Sequence, residues 1–153
     1  MKKLLSSIFL AQFLFVIFFN QVSAQAVDSY ELFWPTVAGV TMDDPKYILK
    51  TLKENVRGFF IFGKAQKVDY LITLAIKRTV EAEKLTKLDK KDLAQKTFGK
   101  AEKNVQDAID LSKPSLKSLD TSIINAGKLN KFLTFLKQEE LLSKVKELQG
   151  LLR

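Results

Sequence analysis

At 153 residues, 25 of them basic and 17 acidic for a net charge of +8, the chain is long enough for one modest hydrophobic core and carries a moderate basic excess. It has no histidine and no cysteine, which removes Ser-His-Asp and Cys-His nucleophiles, disulfide staples and the usual zinc and copper sites. Chemistry is thereby confined to a carboxylate pair, a Ser-Lys dyad or a hard cation held by oxygens.

The chain opens with Lys2-Lys3, an apolar run of 16 residues from Leu4 to Phe19, and Val22-Ser23-Ala24. A positive start, an apolar core and small residues at a cleavage point, in that order, predict a secretory signal peptide over residues 1–24. Sixteen residues fall short of the roughly 20 that cross a bilayer as a helix, which favours cleavage, after Ala24 or after Ala26. An uncleaved membrane anchor is the alternative. Loss of residues 1–24 leaves 129 residues with 23 basic and 17 acidic side chains, or +6. On an exported protein, periplasmic or extracellular, that excess fits solubility or contact with anionic lipid or cell-wall polymer, and the compartment makes nucleic acid the wrong partner.

Residues 25–42 hold Pro35, Gly39, Tyr30, Phe33 and Trp34 without a helical period and read as an extended lead-in, with Trp34-Pro35 packed on the bundle as an apolar latch. A helical bundle domain is expected over 43–152. Asp43-Asp44-Pro45 predicts a helix start, with Asp44 as cap and Pro45 in the first turn. Tyr47, Ile48, Leu52, Val56, Phe59 and Phe60 then step by helical intervals as one stripe. Gly58 and Gly63 bracket the end of that helix, and Phe59-Phe60-Ile61-Phe62 between them reads as a corner closing the core. The other reading of Phe59, Phe60 and Phe62 is a tip that meets a membrane or a partner.

Lys64 to Leu88 predicts a long second helix with a stripe of Val68, Leu71, Ile72, Ala75, Thr79, Ala82 and Leu85. Asp89 to Asp92 reads as a turn in which Asp89 caps a third helix, whose Ala94, Phe98, Ala101, Val105 and Ala108 form a short heptad-like seam. These two helices are expected to pair as a hairpin. Ser112-Lys113-Pro114 ends the third. The last segment carries Leu116, Leu119, Ile123 and Ala126, then Leu129, Phe132, Leu133, Leu136, Leu141, Val145 and Leu148, with a phase slip near Glu139-Glu140. It is one helix, or two divided at Asn125-Ala126-Gly127. The fold class is all-α: a helical hairpin extended to a three- or four-helix bundle.

From Pro35 to Leu88 the chain resembles the bacterial domain-of-unknown-function family 5667. The resemblance rests on Asp44-Pro45-Lys46-Tyr47, Leu49-Lys50, Lys53-Glu54, the Phe59 to Phe62 corner, and Ala75, Arg78 and Glu81-Ala82. Gly63 departs from it, standing where an acidic start to the second helix is expected. The resemblance implies a helical fold and an exported setting, and it transfers no catalytic residue.

Ser143-Lys144-Val145-Lys146 has the S-x-x-K spacing of penicillin-binding enzymes, yet the companion S-D-N and K-T-G elements are missing. The acidic neighbours Asp43-Asp44, Glu81 with Glu83, and Glu139-Glu140 point apart on a helix and cannot face one another as acid and base. Arg78 and Glu81, at i,i+3, read as a weak surface pair. Lys84, Lys87 and Lys91, and then Lys96, Lys100 and Lys103, form two basic rows interleaved with Glu81, Asp92, Glu102 and Asp107. The chain is accordingly read as a non-enzymatic, cofactor-free interaction or scaffold module of the cell envelope, partnered by an envelope protein. The alternative is a peripheral binder of anionic membrane or cell-wall polymer, using the lysine rows with Phe59, Phe60 and Phe62.

Overall fold

The computed structural model describes residues 32–33, 36–112 and 120–152, and among these the regular secondary structure is all α-helix. The order is α1 (Tyr47–Phe59), α2 (Lys64–Lys87), α3 (Lys91–Ser112), α4 (Asp120–Leu136) and α5 (Glu139–Leu152). The signal peptide and the Trp34-Pro35 latch lie outside the described residues.

Helices α2 to α5 form a four-helix bundle. The hairpin of α2 and α3 has the most extensive packing, α5 lies against α3 and α4, and α4 also touches α2. Every residue of the predicted α2 stripe is buried, as is every residue of the α3 seam. Alanines at 94, 101 and 108 recur every seven residues, so small side chains let α3 approach its neighbours closely. Leu129, Phe132 and Leu133 of α4 and Leu141, Val145 and Leu148 of α5 complete the core. Ile123 departs from its predicted place in the stripe: it is exposed, and Ser122 turns inward to donate to Asp69 of α2 at 3.0 Å.

The described part of the lead-in, residues 32–33 and 36–42, contacts the helices. Phe33 sets its ring edge-on against Phe132, with centroids 5.3 Å apart. Lys84 reaches the Gly39 carbonyl at 3.1 Å and Lys50 reaches that of Val40 at 2.7 Å. Asp43 accepts from Thr41 and pairs with Lys90. The Lys90 and Thr41 hydrogen bonds hold its carboxyl down at about 2.

Helix boundaries differ from the sequence expectation in three places. Asp44 accepts from the Lys46 amide at 2.8 Å, but this bond lies in a turn with Pro45 and Lys46 and does not cap the helix, which begins at Tyr47 without a side-chain cap. Asp89 ends α2 and does not cap α3. It takes φ of 57°, while the Lys90 amide bonds back to Leu85 and its own to Thr86, a Schellman closure with Asp in the left-handed position. The same closure, with Lys137 at φ 54° and bonds from Gln138 to Leu133 and from Lys137 to Thr134, divides the last segment into α4 and α5. The break falls at the hydrophobic phase slip, and Gly127 sits inside α4.

Candidate functional site

α1 lies outside the bundle, and its orientation reverses the expectation from its pattern. Of the predicted stripe only Tyr47 is buried; Ile48, Leu52, Val56, Phe59 and Phe60 face solvent together with Leu49. Phe59, Phe60 and Phe62 are 75, 65 and 87 % exposed, so the Phe-rich turn does not close the core. The physical reason is visible on the opposite side of the helix. Tyr47, Glu54 and Gly58, at i, i+7 and i+11, form the buried stripe and meet charged partners on α2.

Those partners make a buried ionic mount. Arg78 of α2 binds Glu54 of α1 through one guanidinium nitrogen and Glu81 through the other, at 2.8 and 3.0 Å to the two Glu81 oxygens. Lys50 of α1 closes the circuit onto Glu81, and Lys77 lies 3.9 Å from Glu54. Glu81 is 1 % exposed. Its pairing with Arg78 is thus a buried bond inside a network, because α1 covers both residues and excludes the water that would screen them. Burial pushes the Glu81 carboxyl upward against the pull of Lys50 and Arg78. The Arg78 guanidinium is raised although burial opposes it, since Glu81 and Glu54 outweigh the desolvation.

Two further features seat the helix. Gly58 allows close approach: a Cβ there would stand 3.1 Å from the Tyr70 ring, whose hydroxyl donates to the Glu54 carbonyl at 2.7 Å. Lys67 donates to the Gly58 carbonyl. The Tyr47 ring lies among Lys100, Arg78 and Lys50, at 4.8, 5.4 and 5.6 Å from its centroid. Its hydroxyl is buried with no hydrogen-bond partner among the described residues. Burial raises both tyrosine pKa values.

Beside the mount runs a groove of about 640 Å³ between α1, α2 and α3, with Gly58 and Phe59 on one wall and Lys100, Lys103 and Asn104 on the other. The Lys100 ammonium sits over the Tyr47 ring with no carboxylate partner among the described residues; burial and the nearby Arg78 lower its pKa. The other lysines of the predicted rows hold local partners: Lys84 the Gly39 carbonyl, Lys87 Glu83, Lys91 Asp89 and Lys103 Asp107. Lys96 is exposed. Of the rows, Lys100 and Lys103 line the same groove as Phe59.

Sequence reasoning missed the basic edge of α1. Seen down its axis, at about 100° per residue, Ile48, Leu52, Val56 and Phe59 lie opposite the buried stripe, while Lys46, Lys53 and Arg57 line one edge. The spacing of Lys46 and Lys53, seven apart beside an apolar stripe, was the available signal. Ser143 is exposed on α5, and no group of three or more acidic side chains able to hold a metal ion occurs among the described residues. No helix among them is long and apolar enough to cross a membrane.

The chain matches the model of a family described as a domain of unknown function (DUF5667) over residues 39–149, and it belongs to that family. The match extends well past the Pro35 to Leu88 resemblance, through α3 and α4 and into α5, and takes in α1 together with every residue of its mount. No curated protein and no solved structure matches the chain.

Proposed function

We propose that this member of the DUF5667 family is a non-catalytic interaction module exported to the cell envelope, in which the α2–α5 bundle holds α1 so that its outer face meets a partner. The observation that carries the reading is the group of seven large apolar side chains, from Ile48 to Phe62, standing in solvent on one element and its following turn. Contiguous apolar surface of this kind marks interaction sites on soluble domains. The inner half of the same helix is held by Glu54, Lys50 and Gly58 against α2, so the exposure is fixed by the mount. The export part of the proposal rests on the order of charged, apolar and small residues in 1–24.

The test places a photo-crosslinking amino acid at Leu52, or at exposed Lys131 on α4 as control, in the full-length chain expressed in a bacterial host. The expected result is adducts from Leu52 in the envelope fraction and none from Lys131. No adduct from Leu52, or equal adducts from both positions, would overturn the proposal.

A further inference from the structure

We infer that the outer face of α1 lies on an anionic lipid surface, as an interfacial helix carried by the bundle; this rests on the interaction-module reading and names its partner. α1 is 13 residues long, about 20 Å at 1.5 Å per residue. Its apolar arc of Ile48, Leu49, Leu52 and Val56 runs into Phe59, Phe60 and Phe62 at its end. A helix that lies in the headgroup plane needs this form: one apolar face to enter the acyl boundary, and a polar face kept out of it.

Charge selects the partner. From Lys46 to Lys67 the chain carries Lys46, Lys50, Lys53, Arg57, Lys64 and Lys67 against one acid, Glu54, with the next at Asp69. Glu54 is turned inward and bound to Arg78, so the outward half of α1 presents no acidic side chain. Lys46, Lys53 and Lys64 are exposed and have no carboxylate in salt-bridge contact among the described residues. Long basic side chains beside an apolar arc lay their stems along it and place their charges at phosphate level. The α1 of a second copy offers no outward acidic side chain to this basic edge, so pairing α1 with α1 leaves those charges uncompensated.

The mount fits the same use. Burying Tyr47, Glu54 and Gly58 on the bundle leaves the apolar arc facing directly away from it, so the domain approaches a planar surface with α1 foremost. Docking in this way requires no rearrangement of the bundle.

The chain has no cysteine, so a single one with a polarity-sensitive fluorophore can be placed at Leu52, and at Lys131 as control, in the full-length protein. The expected result is a blue shift at Leu52 on adding phosphatidylglycerol-containing vesicles at low salt. It should fade in high salt, be absent with phosphatidylcholine vesicles, and not occur at Lys131. Changing Lys46, Lys53 and Lys64 to Gln should weaken vesicle affinity about fivefold for each charge removed, about a hundredfold together. A Leu52 probe unmoved by anionic vesicles, or moved equally by neutral ones in any salt, would overturn the inference. So would a probe already shifted without vesicles: if the shift grows with protein concentration the face belongs to a second copy, and if it does not, to the apolar segment 4–19 of the same chain. Failure here, with protein adducts still forming from Leu52, would leave the interaction module standing and give it a protein partner.

Discussion

The bundle and α1 solve the same problem in opposite ways. In α2 to α5 the apolar stripes turn inward, and the core from Val68 to Leu152 is hydrocarbon with a few hydroxyls bonded to carbonyls of their own helices. In α1 the apolar arc turns outward, and the buried contact is made by charges. Burying hydrocarbon stabilises by roughly 25 cal/mol per Å², whereas a buried ion network returns little beyond its own desolvation cost. A helix attached by the weaker means, with its stronger adhesive facing out, is placed for something other than the stability of its own domain.

That contrast can be broken from either side. The largest expected effect is in the bundle: Phe132→Ala removes a fully buried ring that also meets Phe33, and should cost about 3–5 kcal/mol in global unfolding by denaturant. Next is the mount. Arg78→Leu leaves Glu54 and Glu81 buried without their shared cation, a loss of about 3–5 kcal/mol for such groups. Because α1 is peripheral, this should show first as fast amide exchange in α1 while α2 to α5 remain protected; uniform exchange across all five helices would contradict the separation.

The pH response separates two carboxylates. Asp43 is depressed from 3.8 to about 2, so what it contributes is present above pH 3.8 and is lost as pH falls toward 2. Glu81 is raised above 4.5 by burial, so its contribution is complete below 4.5 and is lost as pH rises through its folded value. Asp43→Asn should flatten the acid limb of a stability profile, and the decline above pH 4.5 should survive that change. The smallest expected effect is at Tyr47, whose buried hydroxyl has no partner among the described residues. Tyr47→Phe keeps the ring among its cations and should be neutral or stabilising by about 1 kcal/mol in thermal melts.

The same contrast explains how much was legible in the sequence. The α2 and α3 stripes could be read because apolar period and burial coincide there. In α1 the period was read correctly and the side was not, since periodicity shows that a helix has two faces without saying which one meets the core. The deciding partners, Arg78 and Glu81, are 24 and 27 residues from Glu54, beyond any local pattern. The break between α4 and α5 was written in the phase slip at Glu139-Glu140, while Gly127 drew attention to a position where the helix continues.

The most direct measurement is the unfolding free energy of a chain with Leu52, Val56 and Phe59 all changed to Gln. With those side chains already in solvent, the account predicts a loss of no more than about 0.5 kcal/mol per site, helicity retained. A loss of several kcal/mol would mean that this face packs against the protein itself, and would contradict the outward placement of α1.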